Sequence, residues 1–437
     1  MRTDLNLKAI YGAAFLRSLG VGLTGVLLGV YLARVGFSVS QLGLAITVGL
    51  AGAALGTALV SFFADHLGRR RTLMALGLLG ALGGVGLVAT TRLAGILLLA
   101  FVGMINGMGT DRGPSFALEQ AIIPQAVSAD RRTWALSWHS VMLDAGHALG
   151  AAAAGLPVLF SHWLKIDLEA SYRLTFGLYT AANLAAAAGY VLLSPEVEVT
   201  APPARDAGVQ GPTARFGLTA GISKEAKAVV YKLAAFSGID SLGGGFLTDA
   251  LIAYWFFRRF GIPEASLGLL FFAGHLLNSA SYVSAAWLAR RIGLLNTMVF
   301  THIPSSLFLI AVPLAPTPAL AVLFFLGREA LVEMDVPTRQ SYIMAVVQPH
   351  ERTFASGVSN LTRSVARALT PSVAGYLMQS LSLAAPLYLG GGLKIVYDLL
   401  IYRAFRGLKP PEEQTPTEGG EEDAASADLT VERRKSP

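Results

Sequence analysis

The chain alternates long apolar runs with short charged loops. Runs at 7–33, 39–64, 72–89, 93–127, 134–160, 172–193, 226–257, 266–289, 294–314, 318–347, 354–380 and 384–405 are read as membrane-crossing helices. About 20 apolar residues suffice to span the hydrocarbon of a bilayer. The predicted fold class is therefore an all-α membrane protein of about 12 transmembrane helices in two pseudo-symmetric six-helix halves. The first run is too long for a signal-peptide core and has no convincing cleavage site, so it is expected to be retained. One long polar interruption, 194–225, carries Pro195, Pro202, Pro203, Gly208, Gly211 and Pro212, a linker composition. The segment 409–437 is rich in Glu, Pro, Gly and Ser, a disordered composition. The expected organisation is an N-terminal half at 1–193, a cytoplasmic linker at 194–226, a C-terminal half at 227–406 and a disordered cytoplasmic tail at 407–437.

Lys and Arg set the orientation. With both termini on one side, the loops of that side hold Arg2, Lys8, Arg69, Arg70, Arg71, Arg131, Arg132, Arg205, Arg215, Lys224, Arg290, Arg291, Arg352, Arg403, Arg406 and Lys409. The opposite loops hold only Arg34, Arg92, Lys165, Arg173, Arg258 and Arg259. Positively charged loops stay in the cytoplasm. Both termini are thus expected on the cytoplasmic side of the cell (inner) membrane.

The sequence also repeats itself. The stretch Gln120 to Thr133, which ends in Asp130-Arg131-Arg132-Thr133, lies over Gln340 to Thr353, which ends in His350-Glu351-Arg352-Thr353, at a shift of 220. The same shift pairs Gly107 with Gly327 and Gly155 with Gly375. A shift of 225 places the loop at Asp65 over Arg290-Arg291-Ile292-Gly293, and a shift of 223 places Ser18-Leu19-Gly20 over Ser241-Leu242-Gly243. Chance likeness between apolar segments does not explain charged loops that match at nearly fixed spacing.

Composition narrows the function classes. Of 437 residues, 53% are hydrophobic and 14% charged, where a soluble domain carries about 25% charged. The net charge of +6 is spread over loops rather than gathered in one patch, so no nucleic-acid partner is expected. The chain has no cysteine, which excludes disulfides, thiolate metal sites and cysteine nucleophiles. No Walker motif, hydrolase elbow or metalloprotease helix occurs, so neither an enzyme, a cofactor nor ATP drive is expected.

The loop Asp65-His66-Leu67-Gly68-Arg69-Arg70-Arg71 carries the most specific signal. It resembles the loop between the second and third helices of the major facilitator superfamily, whose signature runs Gly-x-x-x-Asp-Arg-x-Gly-Arg-Arg. Asp65, Gly68, Arg69 and Arg70 match, while Ser61 and His66 depart from it. The resemblance implies two parallel halves with a substrate site between them near the midplane, and alternating access as the mechanism. It implies that helices 1, 4, 7 and 10 line the cavity, and that Asp65, Gly68, Arg69 and Arg70 form a cytoplasmic gate. Asp65 would approach the positive N-terminus of helix 11. The family's helix-4 arginine has no counterpart before Asn106-Gly107, so its proton-linked role is not carried over. In the helix-5 antiporter signature Gly146, Gly150 and Gly155 match, but Ala151 and Ala154 replace Pro and Gly.

Ionisable residues inside membrane helices cost a few kcal/mol each and mark candidate function. The candidate substrate and ion cavity is Arg17, Tyr31, Asp111, Arg112, His139, Asp240, Arg328, Glu329 and Glu333. Arg17, Thr24 and Tyr31 share a face of helix 1, and the repeat lays Asp240 over Arg17, so the two could face each other across a cavity or form a structural pair. Gly113-Pro114 should kink helix 4. Pro337 lies less than a turn from Pro114 when the repeat is superposed. Glu329, Glu333 and Gln340 share a face and could relay protons, or form a network with Arg328 and Arg339. Glu119 and Arg339 could be latch residues. His139, Asp144 and His147 on helix 5 fit a His–Asp hydrogen bond or a proton-sensitive group better than a metal. Helix 11 carries Asn360, Arg363 and Arg367, with Arg367 the mate of His147.

The sequence reading is a secondary active transporter of a small solute, proton-coupled and monomeric in the lipid bilayer. The buried arginines lean it toward an anionic or zwitterionic substrate. The alternatives are proton-driven efflux of amphipathic compounds and a transport-silent receptor or scaffold of the same fold.

Overall fold

The computed structural model describes residues 2–128, 131–198, 224–335, 338–339 and 352–406. Among them there is no strand. The first half holds α1 (Arg2–Arg34), α2 (Val39–Leu67), α3 (Arg69–Ala89), α4 (Leu93–Gly103), α5 (Pro114–Ile122), α6 (Arg132–Ala152), α7 (Leu156–Leu164) and α8 (Leu168–Gly189). The second holds α9 (Lys224–Gly245), α10 (Asp249–Phe260), α11 (Glu264–Ile292), α12 (Leu294–Ala311), α13 (Pro318–Val332), α14 (Arg352–Ser380) and α15 (Ala385–Phe405). The pairing recurs between halves: α1 packs on α6 as α9 packs on α14, α3 on α8 as α12 on α15, and α2 on α4 as α11 on α13. The linker residues 199–223, Pro337, Gln340, the loop 341–351 and the tail from 407 lie outside the described residues, as does the side chain of Asn360.

Leu5–Arg34, Val39–Leu67, Arg69–Ala89, Trp134–Leu164 and Leu294–Leu314 are each long and apolar enough to cross a membrane. The other expected spans are shorter, broken or more polar. The run 93–127 does not merely kink at Gly113-Pro114. It leaves the helix at Met104, in the left-handed region at φ 52°, and resumes only when Pro114 opens α5. The run 226–257 breaks between Gly245 and Asp249, where Thr248 caps α10 by accepting from Leu251 N. The two breaks meet: Ala250 N donates to Gly107 O at 3.1 Å. Backbone freed inside a membrane is tolerated where protein receives it, and each break receives the other. The run 134–160 carries a 3-10 turn, Ala153–Gly155, between α6 and α7.

Large apolar side chains cover the outside. Phe62, Leu98, Trp163, Phe300, Leu323 and Leu381 are all exposed, a surface suited to lipid and not to water. Inside, the cores are unequal. One core joins the halves, combining Leu27, Tyr31 and Ala45 with Leu251, Trp255, Phe325 and Ala374. At the end that bears the Asp65 loop there are two separate cores instead. Ile10, Leu73, Ile123 and Tyr190 form one, and Val230, Met298, Tyr397 and Phe405 form the other. The bundle is therefore closed at the end away from the loop, where α1 meets α10, α2 meets α14 and α6 meets α11.

Candidate functional site

In the first half, Arg17 of α1 is the hub of a buried network. Its Nε donates to Asp111 Oδ2 at 2.5 Å, and its two terminal nitrogens donate to the two oxygens of Glu119 at 2.9 and 2.8 Å. Tyr190 Oη donates to Glu119 Oε1 at 2.6 Å, and His139 Nε2 lies 2.9 Å from Glu119 Oε2. Glu119 and His139 are fully buried. The unwound 105–113 segment delivers Asp111, whose backbone N–H donates to His147 Nε2 at 2.9 Å. A fork–fork Arg–carboxylate pair with its remaining lone pairs filled is the geometry in which buried charge is tolerated.

The second half reverses the charges. Asp240 of α9 is the hub and cations surround it. Lys394 of α15 donates at 2.9 Å, Arg339 lies at 3.3 Å and Arg363 of α14 at 3.5 Å. Arg339 also holds Asp335 at 2.6 Å. Behind Lys394 stands His302, 3.3 Å from its Nζ, with His302 Nδ1 2.9 Å from Asp398 Oδ1.

This second cluster opens on a cavity of about 130 Å³ between the halves. Its lining includes the Asp240 cluster with Asp335, Arg339, Arg363, Arg367 and Lys394, and also Asp249, His275, Asn278, Arg328, Glu329 and Glu333, while Met108 and Thr110 reach it from the first half. Asn278 Nδ2 donates to Glu329 Oε2 at 2.8 Å, Tyr282 Oη donates to Glu333 Oε2 at 2.7 Å, and Arg328 pairs with Glu329. Asp249 lies at the start of α10 against Gly109, where an added Cβ would strike its carboxylate. Among the described residues, three buried polar atoms of the lining have no hydrogen-bond partner: His275 Nε2, Asn278 Oδ1 and Arg367 Nε.

The cavity thus gathers Asp240, Arg328, Glu329 and Glu333 of the sequence candidates. Arg17, Asp111 and His139 stand in the closed first-half network instead, and Arg17 and Asp240 do not pair. Tyr31 is a correction. Its hydroxyl donates to Leu87 O at 3.0 Å and its ring packs against Tyr172 and Phe176. The face it shares with Arg17 is real, but α1 has 33 residues and meets a different neighbour at each level. Arg112 is exposed and lies over the Phe116 ring, outside the cavity lining. The helix-5 histidines hold no metal cluster among the described residues. Sequence reasoning missed Asp249, His275, Asn278, His302, Lys394 and Asp398. Lys394 and Asp398 are four apart in an apolar run, a signal that could have found them.

The gate loop is built within the first half. Gly68 turns at φ 93°, Arg69 Nε bonds Asp65 Oδ1 at 2.7 Å, and Arg69 also reaches Gln125 at 2.7 Å. The N-terminus of α3 receives Glu198, which accepts from Arg69 N at 2.6 Å and Arg70 N at 3.2 Å. At the closed end, Arg34 of α1 pairs with Glu264 of α11 at 2.5 Å, and Tyr172 donates to the same carboxylate.

Comparison with known proteins agrees with this architecture. The Major Facilitator Superfamily model matches residues 10–332 and again 234–437. An uncharacterized membrane protein of Saccharomyces cerevisiae is 28% identical over 432 residues, covering 92% of this chain and 94% of its own length. Among solved structures, a mutant of the nucleoside transporter NupG superposes with a TM-score of 0.72 at 15% identity, covering 91% of this chain and 99% of its own. A D-xylose-proton symporter gives 0.69 at 14% identity over 95% and 99%. A bacterial homologue of the iron transporter ferroportin, in an inward-facing state, gives 0.67 at 17% identity over 92% and 98%. At such identities these structures share the fold.

Proposed function

The chain belongs to the Major Facilitator Superfamily, and from that membership in a family of polytopic membrane transporters we propose that it carries a small ionic solute, anionic or zwitterionic, by proton-coupled alternating access. The single observation that supports this reading is the cavity between the halves, lined by paired and unpaired charges and closed at one end by the shared core. Charged side chains in a membrane interior are expensive and are retained for ligands, ions or each other. The cavity is small and ionic, whereas apolar drug-sized ligands fill about 300–1,000 Å³ of mostly hydrophobic pocket. That favours a compact solute over efflux of amphipathic compounds. The Lys and Arg asymmetry supports cytoplasmic termini in the inner membrane, so the closed end would face outward and the cavity would load from inside. The 194–226 linker would then join two half-domains that rock about it. The cavity carboxylates are the candidate proton carriers.

The test is uptake into proteoliposomes with and without an imposed pH gradient. Accumulation of an ionic solute that rises with the gradient and collapses with a protonophore supports the reading. Uptake indifferent to the gradient would remove the proton from it. Failure of every small ionic solute would remove the transport assignment.

A further inference from the structure

The cavity is polarised. Around Asp240 and Asp335 stand Lys394, Arg339, Arg363 and Arg367, four cations against two carboxylates. A second group forms in the same cavity by its own contacts: Glu329 with Arg328 and Asn278, Glu333 with Tyr282, and Asp249 beside His275. By formal charge among the described residues, the group around Asp240 is cationic and the group of Asp249, Glu329 and Glu333 is acidic. The elements keep the parts separate. The cations around Asp240 of α9 come from α14, from α15 and from Arg339, well past the end of α13 at Val332, while the carboxylates come from the start of α10 and the C-terminal end of α13. Arg367 is the member of the cationic group that also lies within Coulombic range of Glu333.

The unfilled hydrogen bonds fall in the same places. Arg367 Nε is an unused donor on the cationic side. On the other side Asn278 Oδ1 is an unused acceptor, with its amide nitrogen already on Glu329. Buried polar atoms left without partners cost about 1–3 kcal/mol each, and here they line an open volume. A free metal ion fits the acidic side poorly, since no group of three His, Asp or Glu side chains is poised to hold one among the described residues. A solute with one charge would satisfy one side and leave the other in excess.

We propose that the cavity takes a compact zwitterion, its anionic group on Arg367 and Arg363 and its cationic group between Asp249, Glu329 and Asn278. This rests on the transporter reading above and names its substrate class. At about 130 Å³ the space suits a solute of amino-acid size. A carboxylate matches the planar donor forks of two arginines, and an ammonium matches the acidic group and the free amide oxygen. Length is then the selective property, because both poles must land at once.

The test uses the purified full chain and its tryptophan fluorescence during heating. The probes are glycine, β-alanine, 4-aminobutyrate and 6-aminohexanoate, each beside the carboxylate and the amine of the same length. One amino acid should stabilise the protein at a concentration at least tenfold below either one-charge partner, and should support counterflow in proteoliposomes. Arg367→Gln should raise the concentration needed of that amino acid about tenfold and leave the amine unchanged. Glu329→Gln should do the same with the carboxylate unchanged. A carboxylate that binds as well as its amino acid, with Glu329→Gln silent, would overturn the zwitterion and leave an anion transporter standing. Binding and counterflow by none of the probes would overturn the proposal together with the ionic-solute reading.

Discussion

Arg17 and Asp240 are mates in the sequence repeat, and the two halves use that position with opposite sign. In the first, one cation meets two carboxylates, and tyrosine, histidine and backbone groups fill the remaining valences. In the second, one carboxylate meets three cations at lengthening distances of 2.9, 3.3 and 3.5 Å. The first network is sealed. The second faces a cavity and leaves Arg367 Nε unsatisfied. A buried charge network adds stability only when every member is satisfied. The comparison teaches that one half holds its charges as a fixed post and the other holds them in a form that can change partners.

The largest effect should come from breaking the post. Arg17→Ala strands two buried carboxylates, which costs about 3–5 kcal/mol. The expected outcome is a steep loss of folded protein on detergent extraction. Adding Asp111→Asn and Glu119→Gln to it should recover much of the yield, since replacing a whole buried network is close to neutral. A single mutant that extracts and melts like the wild type would show that the first network is not sealed.

Asp240→Asn should act differently. It strands Lys394, Arg339 and Arg363 beside a cavity that water can enter, so the loss should fall at the lower end of the range for a broken buried pair, about 3 kcal/mol. Folding is expected to survive and transport to fail. Added phosphate should raise the melting temperature of this variant more than that of the wild type, because an anion can replace the lost carboxylate. Equal responses would erase the difference between the halves.

How much of this was legible in the sequence follows from what periodicity can and cannot see. The spans, the repeat and the loop at Asp65 depend on local pattern, and the helices and the pairing of elements follow them. Arg17, Thr24 and Tyr31 do share a face, yet which neighbour each meets depends on helices that contribute nothing to that pattern. The gap at 104–113 was marked by Gly103, Gly107, Gly109 and Gly113, but its width came from the second break, whose Ala250 N–H reaches Gly107 O. Asp249 and His275 stood in the sequence as ionisable residues within expected spans, but their neighbours Gly109 and His147 come from the other half and left no trace in the local pattern.

The closed end offers a third contrast, since among the described residues an ion pair bonds across the halves there, between Arg34 and Glu264. Arg34 is about a third exposed, so its pair with Glu264 is worth about 1 kcal/mol after solvent screening. Glu264→Gln should shift the balance toward opening at that end by about fivefold, as about 1 kcal/mol does at room temperature. The absence of native cysteine makes the measurement clean. A cysteine at Val39, buried in the shared core at that end, should be labelled faster by a membrane-impermeant reagent in the Glu264→Gln background. An unchanged rate would place the closure in the apolar core alone.

The smallest expected effect sharpens the comparison at the two glycine hinges. Gly68 and Gly293 are mates in the repeat and turn alike, at φ 93° and 88°. Neither offers a side chain to cap the helix that follows. The first half solves this with Glu198, whose carboxylate takes the first two N–H groups of α3. A carboxylate at a helix N-terminus is worth about 0.5–2 kcal/mol through hydrogen bonds and the helix dipole together. Glu198→Gln keeps one acceptor and loses the charge, so the loss should fall near the lower bound, about 0.5 kcal/mol. It should appear as faster amide exchange confined to the first turn of α3, with the α12 N-terminus unaffected. Asp65→Asn should leave that exchange unchanged, because Asp65 holds the Arg69 side chain and not its N–H. A slowed transport cycle in Asp65→Asn with normal α3 exchange would then separate a gate role for Asp65 from the capping role of Glu198. Loss of exchange protection in both variants would mean that the loop is one structural unit with no separable gate.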